Sequence, residues 1–480
     1  MALTPVDYAV IAGYLIAITL FGSWFARFQK TTRDYFLTDR SVPGWAICCT
    51  IVATETSTLT FIGVPAQAYA GNWTFLQLVV GYIIGRLIVS ALFIPAYFRG
   101  ELLTTYELLN RRFGPSVKNL SASIFLLTRS LADGIRLYAT ALVITVVTGA
   151  PMDWTIIILG AAMIVYTMRG GVSAVIWTDV VQLFVYVAGA LLVFGSLLAQ
   201  IDGGWSAVVA AGSAANKFQV LNFSLQPSAI YTIWTGLLGG VALTLSTHGT
   251  DQYLVQRLLS AKSLKAAQRG LVVSGFIVFI QFVLFLLIGV MLYTFYQQTP
   301  LPAPLGRNDE ILPTFIIHSL RNGAAGFIVA AIVAAALSPS INAMAATTVN
   351  DFYVKYIRPD ADDATLLRVS KIATVFWGVV QIGVALGAQA MERSVLDAGL
   401  AVLSLASGSV LGAFIIGTLM PRVSSPAMLS GMIAGLTTMF AVWLWTPIAW
   451  TWYSFIGAGM TVAVAWVLSF VFAPNVRPEP

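Results

Sequence analysis

A chain of 480 residues that is 58% hydrophobic and 10% charged cannot hide its apolar surface in a water-facing fold, where about a quarter of residues are charged and burial is limited by surface-to-volume scaling. Lipid is the fitting solvent. There every backbone N–H and C=O must be paired internally, and apolar runs of about 20 residues without alternation fit helices across roughly 30 Å of hydrocarbon and exclude a barrel. The net charge of +6 follows from where Lys and Arg sit between these runs and is no nucleic-acid signal; the only cysteines, Cys48 and Cys49, are adjacent and exclude a disulfide framework.

Thirteen transmembrane helices are read along the chain. The first, 6–27, has neither a basic stretch before it nor a small-residue cleavage site, so it reads as a retained helix and not a signal peptide. The second, 44–70, carries Thr54, Glu55, Thr56, Ser57 and Thr58 at mid-span, with Gly63 and Pro65 behind them. Such a helix breaks easily, and the freed carbonyls and hydroxyls can coordinate a cation or a solute. Segments 74–98, 118–148, 152–168 and 174–200 follow. Charges at membrane depth cost several kcal/mol, so they usually face a cavity or a partner. The bases at that depth are Arg86, Arg129 and Arg136; the acids are Glu55, Asp133 and Asp179, with Asp251 and Asp397 nearer breaks or ends. Arg129, Asp133 and Arg136 share one helix face, so Asp133 can neutralise one guanidinium and leave the other for a carboxylate, or all three can form a closed, helix-locking triad.

The seventh segment, 229–257, has a polar run from Ser246 to Gln252 centred on Gly249, a second helix prone to interruption. Segments 267–296, 322–353, 366–390, 394–420, 424–446 and 449–473 complete the chain. In the eleventh, Ser404, Ser407 and Ser409 beside Gly408 and Gly412 suit close helix packing. The two interrupted helices stand five segments apart and run in opposite directions, the pattern of an inverted repeat with its site at the midplane. This divides the chain into an extra N-terminal helix and loop (1–43), repeat one (44–200), repeat two (229–421) and two peripheral helices (422–480). Loops after odd-numbered segments hold 19 Lys and Arg against 4 after even ones. The N-terminus is therefore expected outside and the C-terminus in the cytoplasm. The basic loop residues themselves read as topology determinants, not ligands.

Five stretches then gain a common meaning: ATETSTLTFIGVP (53–65), RGGVSAVIWTDVVQ (169–182), HGTDQYLVQRLLSAKS (248–263), SINAMAATTVNDFY (340–353) and SGSVLGAFIIGTLMP (407–421). In this order they resemble the sodium:solute symporter family over nearly the whole length, and in particular its iodide, monocarboxylate and multivitamin branch. The resemblance implies an all-α polytopic membrane protein with a LeuT-like 5+5 core, one helix before it and two after. It implies no enzymatic activity, no cofactor besides a coupling ion, Na⁺ or H⁺, and a small-molecule solute as partner.

The resemblance also implies cation ligands: the carbonyls of Ala53 and Thr56, with a hydroxyl pair that falls at positions 335 and 336. Those residues are Ala335 and Ala336, and a hard cation needs oxygen. Ser338 and Asp179 match a second sodium site of some relatives. In the proline-transporting branch an Asp matches Glu55, which is expected either to neutralise a bound cation or to carry a proton itself; a structural cap is the plain alternative. Ser57 and Thr60 resemble solute contacts of sialic-acid-transporting relatives, which hold the carboxylate with an Arg on the helix of Arg129 and Arg136. His248, Thr250, Asp251 and Gln252 join the solute set from the second break.

The expected function is cation-coupled import of a small solute, an organic anion or carboxylate, by alternating access in the plasma membrane. Nucleic acid is not an expected partner, the lipid bilayer is, and the oligomeric state is open, a monomer included. The alternatives are a proton-coupled or uncoupled transporter of the same fold, a channel, and an intramembrane enzyme, for which two histidines and no HExxH pair leave little chemistry.

Overall fold

The computed structural model describes residues 3–25, 36–99, 102–320, 323–336, 340–391 and 394–472. Among them every regular element is a helix, and the one β contact is an isolated bridge between Val42 and Ala261. α1 (Pro5–Trp24) starts in a capping box: Asp7 N–H donates to Thr4 Oγ1 (3.4 Å) and Thr4 N–H to Asp7 Oδ2 (2.9 Å). Asp7 Oδ1 also accepts from the amides of Gly323 and Gly326, both at 2.8 Å, at the start of the helix Ala324–Ala336, so one carboxylate serves two helix ends.

α2 (Gly44–Glu55) and α3 (Thr58–Ala70) meet at a bend of 59°. The break falls on Thr56 and Ser57, within the polar run and not at Gly63 or Pro65, which are buried inside α3. Hydroxyl-bearing residues offer the backbone local bonds that compete with a helix. Here Thr60 Oγ1 donates to the Glu55 carbonyl (3.2 Å), and the amides of Thr60 and Phe61 both turn to Ser57 O.

α4 (Leu76–Phe98), the short α5 (Tyr106–Phe113) and α6 (Pro115–Thr148) follow. α7 (Met152–Gln200) joins two expected segments end to end across Gly171, whose φ of 57° suits glycine alone among common residues. α8 (Gly204–Ala214) leads to a helical stretch with π-turns at Thr235–Gly240 and Leu245–Thr250. The chain then extends at Asp251 (φ −82°, ψ 122°), whose side chain caps α9 (Gln252–Leu259) by accepting from Tyr253 N–H at 2.9 Å. The second break is thus at Asp251, two residues past the expected centre, because Gly249 is packed against Phe93 and its carbonyl accepts the Tyr97 hydroxyl.

α10 (Leu264–Gln298), α11 (Ile311–Ser319), α12 (Ala324–Ala336) and α13 (Ile341–Thr347), which runs into a π-helical turn at Thr348–Ile357, are followed by α14 (Asp363–Gly387), α15 (Val395–Leu419), α16 (Ser425–Trp445) and α17 (Tyr453–Leu468). Nine described helices are long and apolar enough to cross a bilayer, ten if the bent pair counts as one span. Of the remaining expected spans, 152–168 gives only the shorter helix Met152–Val165, 229–257 is divided by the π-turns and the break at Asp251, and 322–353 runs through residues outside the described ones.

α10 lies against α2, α3 and α4; α6 against α14 and α15; α12 against α1 and α7; α15, α16 and α17 form a bundle. Lipid gives helices little hydrophobic reason to associate, so close approach relies on small residues. A Cβ on Gly81 of α4 would lie 2.0 Å from the Gly236 carbonyl oxygen, and one on Gly408 2.6 Å from Ser454 O. Ser407 and Ser454 hydrogen-bond at 3.3 Å across the latter contact.

Three residues read as loop topology determinants are buried, and of these Lys217 donates to the Tyr69 carbonyl at 2.6 Å. Lys118 pairs with Asp351 (2.9 Å) and Glu107 (3.5 Å), and Arg257 of α9 pairs with Asp179 (3.0 Å). Lys118 lies within α6 and Arg257 within α9, and each finds a carboxylate there. Cys48 and Cys49 are free thiols.

Candidate functional site

Both breaks open on one cavity. Its wall takes Thr54, Glu55, Ser57, Leu59 and Thr60 from the first break, Arg129, Asp133 and Arg136 from α6, and Thr247 and His248 from the second. Tyr82, Tyr253, Leu254, Phe75, Phe282, Leu396, Gly399 and Leu400 supply its aromatic and aliphatic sides. The empty space, open mouth included, is about 820 Å³. Phe75 is held for this duty by stacking on Phe282 at 5.1 Å.

Three ion pairs organise the polar side. Glu55 is in direct contact with the fully buried Arg86 of α4. His248 joins them, with Nε2 3.2 Å from Arg86 Nη2 and 3.7 Å from Glu55 Oε2, and Nδ1 2.9 Å from the Thr247 hydroxyl. Arg129 contacts Asp251 directly and lies over the Tyr253 ring at 4.7 Å, which ties α6 to the second break. Asp133 stands 3.8 Å from Arg129 and 3.6 Å from Arg136. Arg129 is therefore committed across the helix boundary to Asp251, and Arg136 is the guanidinium left with Asp133.

At the first break the usual helical donors of two carbonyls are diverted. Ser57 N–H bonds Glu55 O (3.0 Å) and not Ala53 O; Thr60 N–H bonds Ser57 O (2.9 Å) and not Thr56 O. Both expected cation-binding carbonyls are thus released from their helix, though the Thr56 hydroxyl is used by Gln281 (2.7 Å). Asp179 lies off the cavity wall. It accepts from Thr50 Oγ1 (2.5 Å) and Thr54 Oγ1 (3.4 Å) and pairs with Arg257. Ala335 and Ala336 end α12, and Ser338 lies outside the described residues.

Two expected solute residues turn away from the cavity. Thr250 Oγ1 bonds Ser246 O within its own turn (2.9 Å), and Gln252 bonds Thr105 N–H (2.8 Å) and Leu103 O (3.2 Å). Ser57, Thr60, Arg129, Arg136 and His248 line it, and Asp251 reaches it through Arg129. Arg86, which contacts Glu55, and Arg257, which pairs with Asp179, were not among the expected site residues. A buried acid such as Asp179 demands a counter-ion, and that demand was the available signal.

Residues 35–435 match the Sodium:solute symporter family. The Sodium/sialic acid symporter SiaT of Proteus mirabilis is 30% identical over 477 residues, covering 98% of this chain and 96% of that protein. The human Sodium/iodide cotransporter is 30% identical over 464 residues, covering 93% of this chain and 70% of its own length. The solved structure of a Na⁺-coupled sialic acid symporter, substrate-bound and outward-open, superposes with a TM-score of 0.90 at 28% identity, covering 98% of this chain and 99% of that one. Mhp1, a nucleobase-cation-symport-1 transporter, superposes at 0.60 with 14% identity, which bears on the fold alone. The relatives are transporters, and the enzyme alternative ends with them. This chain, an integral membrane protein with a LeuT-like fold, belongs to the sodium:solute symporter family.

Proposed function

We propose that the protein is a sodium-coupled importer of a small, carboxylate-bearing organic solute, working by alternating access around the cavity between the two broken helices. The observation that carries this is the meeting of both breaks with Arg129, Asp133 and Arg136 at one cavity. The relatives named for sialic acid and iodide support a solute with an anionic group. The diverted donors of the Ala53 and Thr56 carbonyls support a cation at the first break. Glu55, tied to Arg86 and His248, then sets the field at that break, and the cation that orders it raises solute affinity. By linkage the solute raises cation affinity by the same factor.

The proposal includes the thirteen-span arrangement, with repeats at 44–200 and 229–421, an outside N-terminus and a cytoplasmic C-terminus in the plasma membrane. Asp179 and Ser338 complete a second cation position in this reading, where an arriving ion competes with the tethered Arg257 guanidinium. Alanine at 335 and 336 favours one rival, proton coupling through the Glu55–His248 pair.

Thermal stabilisation of the purified protein by a panel of carboxylates, in Na⁺ and in K⁺ at two pH values, separates the two. Stabilisation that requires Na⁺ is expected. Stabilisation indifferent to Na⁺ but moving with pH replaces sodium by protons.

A further inference from the structure

The geometry points to a solute that carries an ammonium group beside its carboxylate: a zwitterion with an apolar body, such as an α-amino acid. This rests on the reading of the cavity as the solute site. The charges around that cavity balance, with Glu55, Asp133 and Asp251 against Arg86, Arg129 and Arg136. Two of the three pairs are in direct contact, so their charges are already matched.

The third pair is different. Asp133 and Arg136 approach no closer than 3.6 Å, too far for a hydrogen bond. Asp133 is 6% exposed, and neither of its oxygens accepts a hydrogen bond from any described residue; Arg136 Nε likewise donates to none. A buried carboxylate without donors is costly. Here a carboxylate and a guanidinium, each with unused hydrogen-bonding capacity, sit one helical turn apart on a cavity wall.

A solute bearing a carboxylate alone satisfies Arg136 and faces Asp133 as a like charge. A solute bearing both groups satisfies both. Its ammonium donates to the Asp133 oxygens, and its carboxylate accepts from the Arg136 fork. The spacing suits charges carried on neighbouring atoms of a small molecule. Across the cavity Leu59, Phe282, Leu396 and Leu400 offer an apolar surface for the rest of it.

The test uses matched triplets on the purified full-length protein in Na⁺: leucine, isocaproate and isoamylamine; phenylalanine, hydrocinnamate and phenethylamine. Binding is read as thermal stabilisation across a concentration series. In the wild type at least one amino acid is expected to bind about tenfold or more tighter than its des-amino acid and its des-carboxy amine. Asp133→Asn is expected to erase that preference, the amino acid losing at least about tenfold more affinity than its des-amino acid. If Asp133→Asn fails to fold, the wild-type ranking decides alone.

Equal or tighter binding of isocaproate and hydrocinnamate in the wild type overturns the inference and leaves the carboxylate-importer reading standing. An unchanged preference in Asp133→Asn overturns it too. If none of the six compounds binds, the inference falls, and sodium-dependent binding of sialic acid or other carboxylates then decides whether the broader reading falls with it.

Discussion

Replacing Arg257 by methionine is the sharpest structural perturbation available. Arg257 and Asp179 are both buried, at 1% and 0% side-chain exposure, and they join three elements: Asp179 on α7, Arg257 on α9 after the second break, and Thr50 on α2, whose hydroxyl serves both. At 3.0 Å an ion pair in an effective dielectric of about 20 gains roughly 5 kcal/mol of Coulomb energy, most of it offset by desolvation. Removing one partner leaves the other charge buried without that attraction and costs about 3–5 kcal/mol. Arg257→Met and Asp179→Asn alone are each expected to lose an amount of this order. The double variant is expected to lose less than the sum, with a coupling energy of a few kcal/mol. Equilibrium unfolding in mixed micelles, followed by tryptophan fluorescence, measures all four corners of the cycle. Additive losses, or an Arg257→Met protein within about 0.5 kcal/mol of the wild type, would refute the reasoning.

Gly81→Val places a methyl-bearing carbon against the Gly236 backbone oxygen, so α4 must move away; a stability loss of at least about 1–3 kcal/mol is expected. Gly13→Val, with open space around it, is the control and should change little. Asp309 sits in the loop between α10 and α11, where burial raises its carboxyl above the ordinary 3.8, against the Val395 amide that favours the charged form. The native state therefore holds this proton more readily than the unfolded chain, and stability falls as pH rises through the raised native value. Asp309→Asn, neutral at every pH, should equal or exceed the wild type at pH 7 in thermal unfolding, with the gap closing toward acid; a constant deficit would contradict the sign. Glu55→Gln leaves Arg86 without its contacting charge and is expected to cut transport about tenfold or more in protein that still elutes as a single species; unchanged uptake and ion dependence would remove Glu55 from the mechanism.

The helical membrane fold was legible because lipid leaves the backbone so few ways to pair its polar groups. The first break was legible to within a residue or two from the run Thr54 to Thr58, since hydroxyls compete with the helix wherever they cluster. Gly63 and Pro65 were poorer guides, because packing inside α3 tolerates both. Within α6 the grouping of Arg129, Asp133 and Arg136 followed from helical spacing. The partners that decide their roles did not. Glu55 meets Arg86 31 residues away, Arg257 meets Asp179 78 residues away, and Arg129 meets Asp251 122 residues away. Such pairings depend on how whole helices cross, which no local spacing encodes. Lys118 and Arg257 were misplaced for a related reason: positive-inside reasoning assigns a charge by its position along the chain, not by its burial. Spacing along the chain likewise did not show that Gly171 lets two expected segments meet without a loop or that π-turns shorten the stretch before Asp251.

The central claim is that solute and sodium move together through this cavity. The most direct measurement is influx of radioactive sodium into proteoliposomes holding the purified protein, with and without leucine, hydrocinnamate and sialic acid outside. Saturable sodium influx stimulated by at least one of these solutes, absent from protein-free liposomes and retained when the pH gradient alone is removed, is the predicted result. Solute uptake that follows the pH gradient and ignores sodium would contradict it.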